Sequence, residues 1–407
     1  MEERIVSIYD LAIIGGGPGG LTAGIYGSRA KLNTVIFEKA IPGGQAYTTR
    51  ELVNYPAFPG GTTGPDLTQK MQEHAREFGT EIIKEEIVDL QIDDEIKILV
   101  TGKGNEYKVK TIILAPGAEP RLLNIQGEQE FKGNGVSYCA TCDAEFYEDQ
   151  TVVVVGNGDA AIEEAIYLAK FAQKVIVIVI HDQGIVDCNK FSAERAFNNS
   201  KIEFVWNSVL SKINGKDEVS GAVIKNLKTG ELSVLSCEGV FIYIGIVPRT
   251  DFLKGKIKLD EKGYIITNEK METSAAGVYA IGDARAKYLR QVVTAANDGA
   301  IAAVSAERYI LEEEAFKEQI QNANQTVVLA FWSPLSEVSI NKLVLLDKLI
   351  LERKCNMKLV KVDISRNQRI ASKYNVEKIP AIFLLDNKGQ ITQDWSEELI
   401  ENLKLPK

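Results

Sequence analysis

The chain has 407 residues, 45% of them hydrophobic and 25% charged, with a formal net charge of −9 and no long basic run. Such a composition suits a globular protein of two to three domains, the acidic balance argues against nucleic-acid binding, and no apolar run reaches the roughly 18 residues a membrane span needs. Five cysteines are too few for a secreted disulfide framework, and the start MEERIVSIYD, acidic and running straight into a strand, reads as cytoplasmic rather than as a signal peptide.

Taken in chain order, residues 8–14 (IYDLAII) predict a short apolar strand, GGGPGG at 15–20 a turn, LTAGIYGSRA a helix, and NTVIFEK at 33–39 a second strand that ends in Glu38. Gly15, Gly17 and Gly20 match G-x-G-x-x-G. In that order of elements, glycines let backbone N–H groups approach a pyrophosphate at a helix N-terminus. Glu38 stands 23 residues after Gly15, where a carboxylate takes ribose hydroxyls.

Residues 136–146 read VSYCATCDAEF. A Cys-x-x-Cys in a βαβ setting reads as redox-active, and the two histidines, His74 and His181, are remote in sequence, so a four-ligand zinc site is not expected. A thiolate attacks a disulfide and a second thiol resolves the mixed species. Asp143 is the candidate general acid for the leaving thiolate, because no histidine lies near in sequence. Cys188, Cys237 and Cys355 are isolated and read as core packing.

The first pattern then recurs. TVVVV at 151–155 predicts a strand, GNGDAA at 156–161 a turn, IEEAIYLAKFA a helix and KVIVIVI at 174–180 the next strand. Two nucleotide-type domains plus a dithiol suggest a flavin in one and a nicotinamide in the other. Later, GVYAIGDAR at 277–285 is a strand running into Gly282–Asp283, and RQVVTAANDGAIAA at 290–303 a helix; 311–325 reads as a helix end plus linker. A small α/β unit follows: TVVLAFW, a helix to about 354, KLVKVDI, a helix and IPAIFLLD.

GGGPGGLTAGIY, PGGQ at 42–45, VNYPAFPG at 53–60, VSYCATCD, IGIVP at 244–248, GVYAIGD and RQVVTAANDGAIAA together resemble the low-molecular-weight thioredoxin reductases over about residues 8–310. The resemblance implies an α/β fold with two Rossmann-like domains. The FAD domain would be discontinuous, 1–117 plus 246–315, with the disulfide/NAD(P)H-like domain 118–245 inserted, and the protein a homodimer. It places FAD against Gly15, Gly17, Gly20, Glu38, Gly44, Gln45, Asn54, Asp283, Arg290, Gln291 and Val292, with Asp283 at the ribitol. It further implies that Cys142 faces the flavin and Cys139 attacks the partner, thioredoxin or a similar disulfide protein. Pro116 departs from the family's usual threonine near the flavin.

In the second nucleotide domain, the family's HRRxxxR stretch, which grips the 2′-phosphate of NADPH, is replaced at Val179, Ile180, His181 and Ile185. Without cations a 2′-phosphate loses charge-assisted contacts. For NADH, the ribose acid position falls on Val179, with Asp182 three residues on as a substitute. NAD(P)H use is therefore left open, and the sequence resembles the ferredoxin-dependent branch of the family, with reduced ferredoxin the favoured donor. An altered-pocket NAD(P)H enzyme and a non-catalytic flavoprotein sensor are the alternatives.

After a linker at 316–325, residues 326–407 resemble thioredoxin, through TVVLAFWSPLSEVS and EKIPAIFLL with Pro380. Ser336 and Ser339 stand where thioredoxin has its cysteines, and Ala330 where it has a buried acid. Serine cannot exchange disulfides, so this domain is expected to be redox-dead and to act as an interaction module.

Overall fold

The computed structural model describes residues 8–49, 52, 54–93, 95–321, 326–352, 357–386 and 389–396; Cys355 lies outside them. The chain divides into two compact units, Met1–Glu307 and Arg308–Lys407.

The first unit opens on the strand Tyr9–Ile14, which pairs in parallel with Thr34–Phe37 on one side and Glu106–Leu114 on the other. The sheet runs Glu81–Ile83, Thr34–Phe37, Tyr9–Ile14, Glu106–Leu114, Lys97–Thr101, Ile87–Gln91. Val278–Ala280 returns from far along the chain to pair with Glu106–Leu114. Strands such as Thr34–Phe37 are buried at every position, as expected of a parallel sheet covered on both faces. The helix Pro18–Arg29 buries small residues, among them Gly20, Ala23, Gly24 and Gly27, so its backbone lies close to the sheet.

A second parallel sheet has the order Ile202–Val205, Lys174–Ile178, Thr151–Val155, Gly239–Ile242, Val136–Ser137. The helix Asp159–Leu168 packs on it through Ala161, Ile162 and Ala165, in one cluster with Val152, Val154 and Phe241. An antiparallel sheet of Ser208–Gly215, Val219–Asn226 and Leu232–Ser236 adds to this region. The two crossovers, Ala118–Pro120 and Ile246–Pro248, pair with each other as an antiparallel ribbon.

The stretch read as a helix end plus linker is helical as far as Gln321, within a single helix Val292–Gln321. No Gly or Pro interrupts 300–321, and buried Ile310, Glu313, Phe316 and Ile320 recur at helical spacing beneath the polar composition.

In the second unit, Thr326–Trp332 pairs in parallel with Met357–Asp363 and antiparallel with Ala381–Leu385, which pairs with Ile391–Asp394. Alternate residues of the central strand serve two cores: Val327, Leu329 and Phe331 with Phe316, Ile320 and Phe383, and Val328 and Ala330 with Leu343, Leu346 and Trp395. Arg369 pairs with buried Glu313 and lies 4.2 Å above the Tyr309 ring. The Ile379–Pro380 peptide is cis. No helix among the described residues is long and apolar enough to cross a membrane.

Candidate active site: a dithiol turn beside a nucleotide cleft

The first glycine turn sits where the strand Tyr9–Ile14 hands over to the helix Pro18–Arg29. Gly15 has φ +109°, and a Cβ there would lie 2.1 Å from the Ala115 carbonyl oxygen, so no other residue fits. A Cβ on Gly17 would meet nothing nearer than the Gly44 Cα at 4.0 Å, which leaves its cleft side open. Glu38 closes the turn: its carboxylate accepts from the Gly16 N–H at 2.8 Å and the Ala40 N–H at 2.9 Å.

These groups line a cleft of about 1970 Å³, together with Gly20, Gln45, Pro116, Asp283, Arg290, Gln291 and Val292. Asp283 is its most informative residue. Burial pushes its carboxyl up against the opposing pull of Lys287 and Arg290, and its buried Oδ1 has no hydrogen-bond partner. A buried acceptor left in that state calls for a donor, and a sugar-alcohol hydroxyl supplies one. With the open glycine turn and the acid behind it, the cleft fits a flavin dinucleotide. Arg290 is held over the Tyr264 ring at 4.1 Å and donates through Nε to the Asp283 carbonyl.

Asp298, which sequence reasoning missed, organises this wall. Almost fully buried, it accepts from the Gly282 N–H and pairs with Arg285 at 3.0 Å and Lys287 at 2.7 Å. Its place in a small-residue helix gave no signal.

Cys139 and Cys142 are joined as a disulfide, with Cα atoms 5.3 Å apart. The short helix Ala140–Asp143 makes this geometry: the Cys142 and Asp143 N–H groups both return to the Cys139 carbonyl. Asp143 is largely buried behind the pair. Burial raises its carboxyl pKa, and the hydrogen bond from the Ser137 hydroxyl opposes the rise. Ser137 also accepts from the Cys139 N–H at 3.1 Å, and the Tyr243 hydroxyl accepts from the Ala140 N–H at 2.6 Å. Neither residue is marked by spacing; Tyr243 at a strand end reads as core.

The dithiol turn lies against the cleft through side chains. The Gln291 amide donates to the Thr141 hydroxyl at 3.2 Å and approaches Cys139 Sγ at 3.8 Å. Asn54 donates to Gln291 Oε1 and to the Thr141 carbonyl. Asn54, expected at the cofactor, is thus placed on the bridge to the disulfide.

The second glycine turn is clasped by its own chain. Gly156, at φ +129°, would drive a Cβ to 2.3 Å from the Tyr243 carbonyl oxygen. The segment after Lys174–Ile178 folds back across it. The Asp187 N–H donates to the Asn157 carbonyl, and the Asp187 carboxylate binds the Asn157 amide and His181 Nε2, each at 2.9 Å. Asp159, first residue of the next helix, accepts from the Asn189 N–H at 2.7 Å. Bonds from His181 and Asn157 hold Asp187 below the usual carboxylate range, and the Asn189 backbone does the same for Asp159. Val179 is fully buried, and Asp182 pairs with Lys228.

Cys188 and Cys237 are free thiols that pack in cores, and burial pushes Cys237 up to about 12. Among the described residues no cluster of His, Cys, Asp and Glu is arranged to hold a metal. In the second unit, Ser339 is fully buried and its hydroxyl bonds the Ser333 and Ser336 carbonyls. Ala330 is fully buried in the position of the missing acid.

Comparison with known proteins agrees with this geometry. A family model for pyridine nucleotide-disulphide oxidoreductases matches residues 9–299, and one for thioredoxin matches 307–404. A thioredoxin reductase of Peptoclostridium acidaminophilum is 51% identical over 310 residues, 75% of this chain and 98% of that protein. The crystal structure of thioredoxin reductase from Streptococcus pyogenes MGAS5005 superimposes with a TM-score of 0.72 at 42% identity, covering 75% of this chain and 99% of that one. The thioredoxin reductase from Giardia duodenalis gives 0.70 at 36% identity, covering 74% and 99%. The chain therefore belongs to the pyridine nucleotide-disulphide oxidoreductase family, as an FAD-dependent disulfide oxidoreductase of thioredoxin-reductase type with a thioredoxin domain behind it.

Proposed function

We propose that the chain carries electrons from a one-electron donor, reduced ferredoxin or a similar iron–sulfur protein, through FAD to Cys139–Cys142 and on to a thioredoxin disulfide. The observation that carries the donor reading is the clasped second turn. Two carboxylates held below the usual range, Asp187 and Asp159, flank the second turn, Asp187 through the Asn157 amide and Asp159 as the first residue of the helix that follows it. Negative charge beside the turn opposes binding of a pyrophosphate, and Val179, Ile180 and Ile185 offer no compensating cation. Basic Arg121, Lys132 and Arg249 on the cleft are interleaved with Glu119, Glu218 and Glu238, so the donor's docking face is not one of simple opposite charge.

In this reading Gly15, Gly17, Gly20, Glu38, Gly44 and Gln45 hold the dinucleotide, and Asp283, Arg290, Gln291 and Val292 flank the flavin. Bound FAD supplies the electron pair that opens the disulfide. Cys142 faces it, Cys139 is left to attack the partner's disulfide, and Asp143, whose carboxyl pKa burial raises, is the acid for the leaving thiolate. Asn54 and Gln291 hold the turn in place. The domain division 1–117 with 246–315 around 118–245, and a homodimer, complete the proposal. The second unit binds a partner without exchanging thiols.

A second reading, an NADPH- or NADH-dependent reductase with an altered pocket, is favoured by the family match itself. Anaerobic mixing with NADPH, NADH or reduced ferredoxin separates the two. Fast bleaching of the flavin band by ferredoxin alone supports the first; fast bleaching by NADPH overturns it. Removal of residues 320–407 is expected to change KM for thioredoxin, and an unchanged KM and donor preference would remove the binding role of the second unit.

A further inference from the structure

Opening the Cys139–Cys142 bond takes two electrons, supplied by the reduced cofactor, and two protons if both sulfurs are to end as thiols. Closing it on a partner's disulfide returns both electrons and both protons. Asp143 has one carboxyl and can serve only one of the two protons. The second lacks an assigned carrier.

Glu164 lies on the helix Asp159–Leu168, whose Ala161 and Ala165 pack against Ala140 and Ala144 of the dithiol turn. It lines the cleft alongside Cys142, Asp143 and Tyr243, and its Oε2 is buried without a hydrogen-bond partner. A carboxyl in that condition, beside a group that changes charge, is costly to retain as mere packing.

We propose that Glu164 is the second proton reserve of the dithiol, taking up and returning a proton through the cleft that it and both cysteines line as the Cys139–Cys142 pair closes and opens. The Tyr243 hydroxyl accepts from the Ala140 N–H at the start of the dithiol helix. Both Glu164 and Asp143 bear electrostatically on that hydroxyl. Burial, with a smaller push from Glu163, lifts the Glu164 carboxyl from 4.5 to about 6. Glu163 on its own helix acts on it directly and Glu164 acts on Tyr243; Asp143, Tyr147, Glu218 and Glu238 line the same cleft.

The inference rests on Cys139–Cys142 being the working dithiol, and the test separates the two. The full-length protein is reduced, its thiols are counted, and the rate of their reaction with Ellman's reagent is followed from pH 5 to 9. If the pair does not open, the dithiol reading fails. If it opens, wild type should show a break near pH 6. Glu164→Gln should lose that break and react about threefold faster at pH 7, because a neighbouring negative charge holds a thiol pKa up by about half a unit. Glu164→Asp should keep it. A Glu164→Gln profile superimposable on wild type overturns the proposal. Infrared difference spectra of wild type, disulfide minus dithiol, give a check free of mutants. A carboxyl protonation change titrating near pH 6 supports the role, and its absence refutes it.

Discussion

The Gln291 side-chain amide donates to the Thr141 hydroxyl at 3.2 Å, joining the residue that precedes the long helix to the middle of the Cys-x-x-Cys. With Asn54 bonding both partners, it is the polar seam between cofactor cleft and disulfide. Replacing Gln291 by Leu removes the amide's bonds at nearly constant volume. At about 1 kcal/mol for each of the two lost hydrogen bonds, the rate of flavin reoxidation by the internal disulfide should fall by roughly thirtyfold. Stopped-flow absorbance at the flavin band measures it.

Asp143→Asn should lower kcat for thioredoxin reduction by about a hundredfold, the usual effect of a lost general acid, with KM little changed. Burial raises the Asp143 carboxyl pKa, so wild type donates below that raised value and loses activity as pH climbs through it. The Asn variant should lack this fall with rising pH. A kcat–pH profile that keeps it would assign the acid elsewhere.

With Cys139 as the attacking thiol, Cys142→Ser should accumulate a mixed disulfide with thioredoxin, because the resolving sulfur is gone. Cys139→Ser should not. Non-reducing electrophoresis decides, and adduct formation by Cys139→Ser would reverse the assignment.

Much of this site is legible from the chain alone. Both glycine turns and the dithiol are written in contiguous residues, and so are the two serines of the second unit, because local backbone geometry dictates them. The seam is not legible: Thr141 and Gln291 are 150 positions apart, and Asn54 and Gln291 are 237. Asp187 obeys no spacing rule, since the loop after Lys174–Ile178 decides what it faces. The helical run through 316–321 hides behind a polar composition whose few apolar residues are buried at helical intervals.

The clasp on the second turn has its own test. Installing Ile180→Arg with Ile185→Arg adds cations for a 2′-phosphate and leaves the bonds of Asp187 to Asn157 and His181 in place. NADPH bleaching should stay slow. Adding Asp187→Ala should quicken it about tenfold or more, as an opposing charge is removed. If the arginines suffice alone, the clasp is not the barrier.

Glu164 has a signature in stability as well. Its folded pKa of about 6 exceeds the ordinary 4.5, so its contribution is fully present below pH 4.5 and is lost as pH rises through 6. At pH 8 the ionised group is a burden of at most about 2 kcal/mol, less after screening of its exposed third. Glu164→Gln should therefore unfold at a higher temperature than wild type at pH 8, and the gap should close as pH falls to 4.5. An equal or lower Tm at pH 8 would contradict the burial of this charge.

Ser339 fills a buried thiol's place with a hydroxyl bonded to two carbonyls, and Cys355 is the single cysteine left in 326–407. No internal crosslink can form or break there. This domain should therefore keep a stability that does not depend on whether the surroundings are oxidising or reducing. It gives the molecule a surface that keeps its shape while the dithiol ahead of it changes state with every turnover.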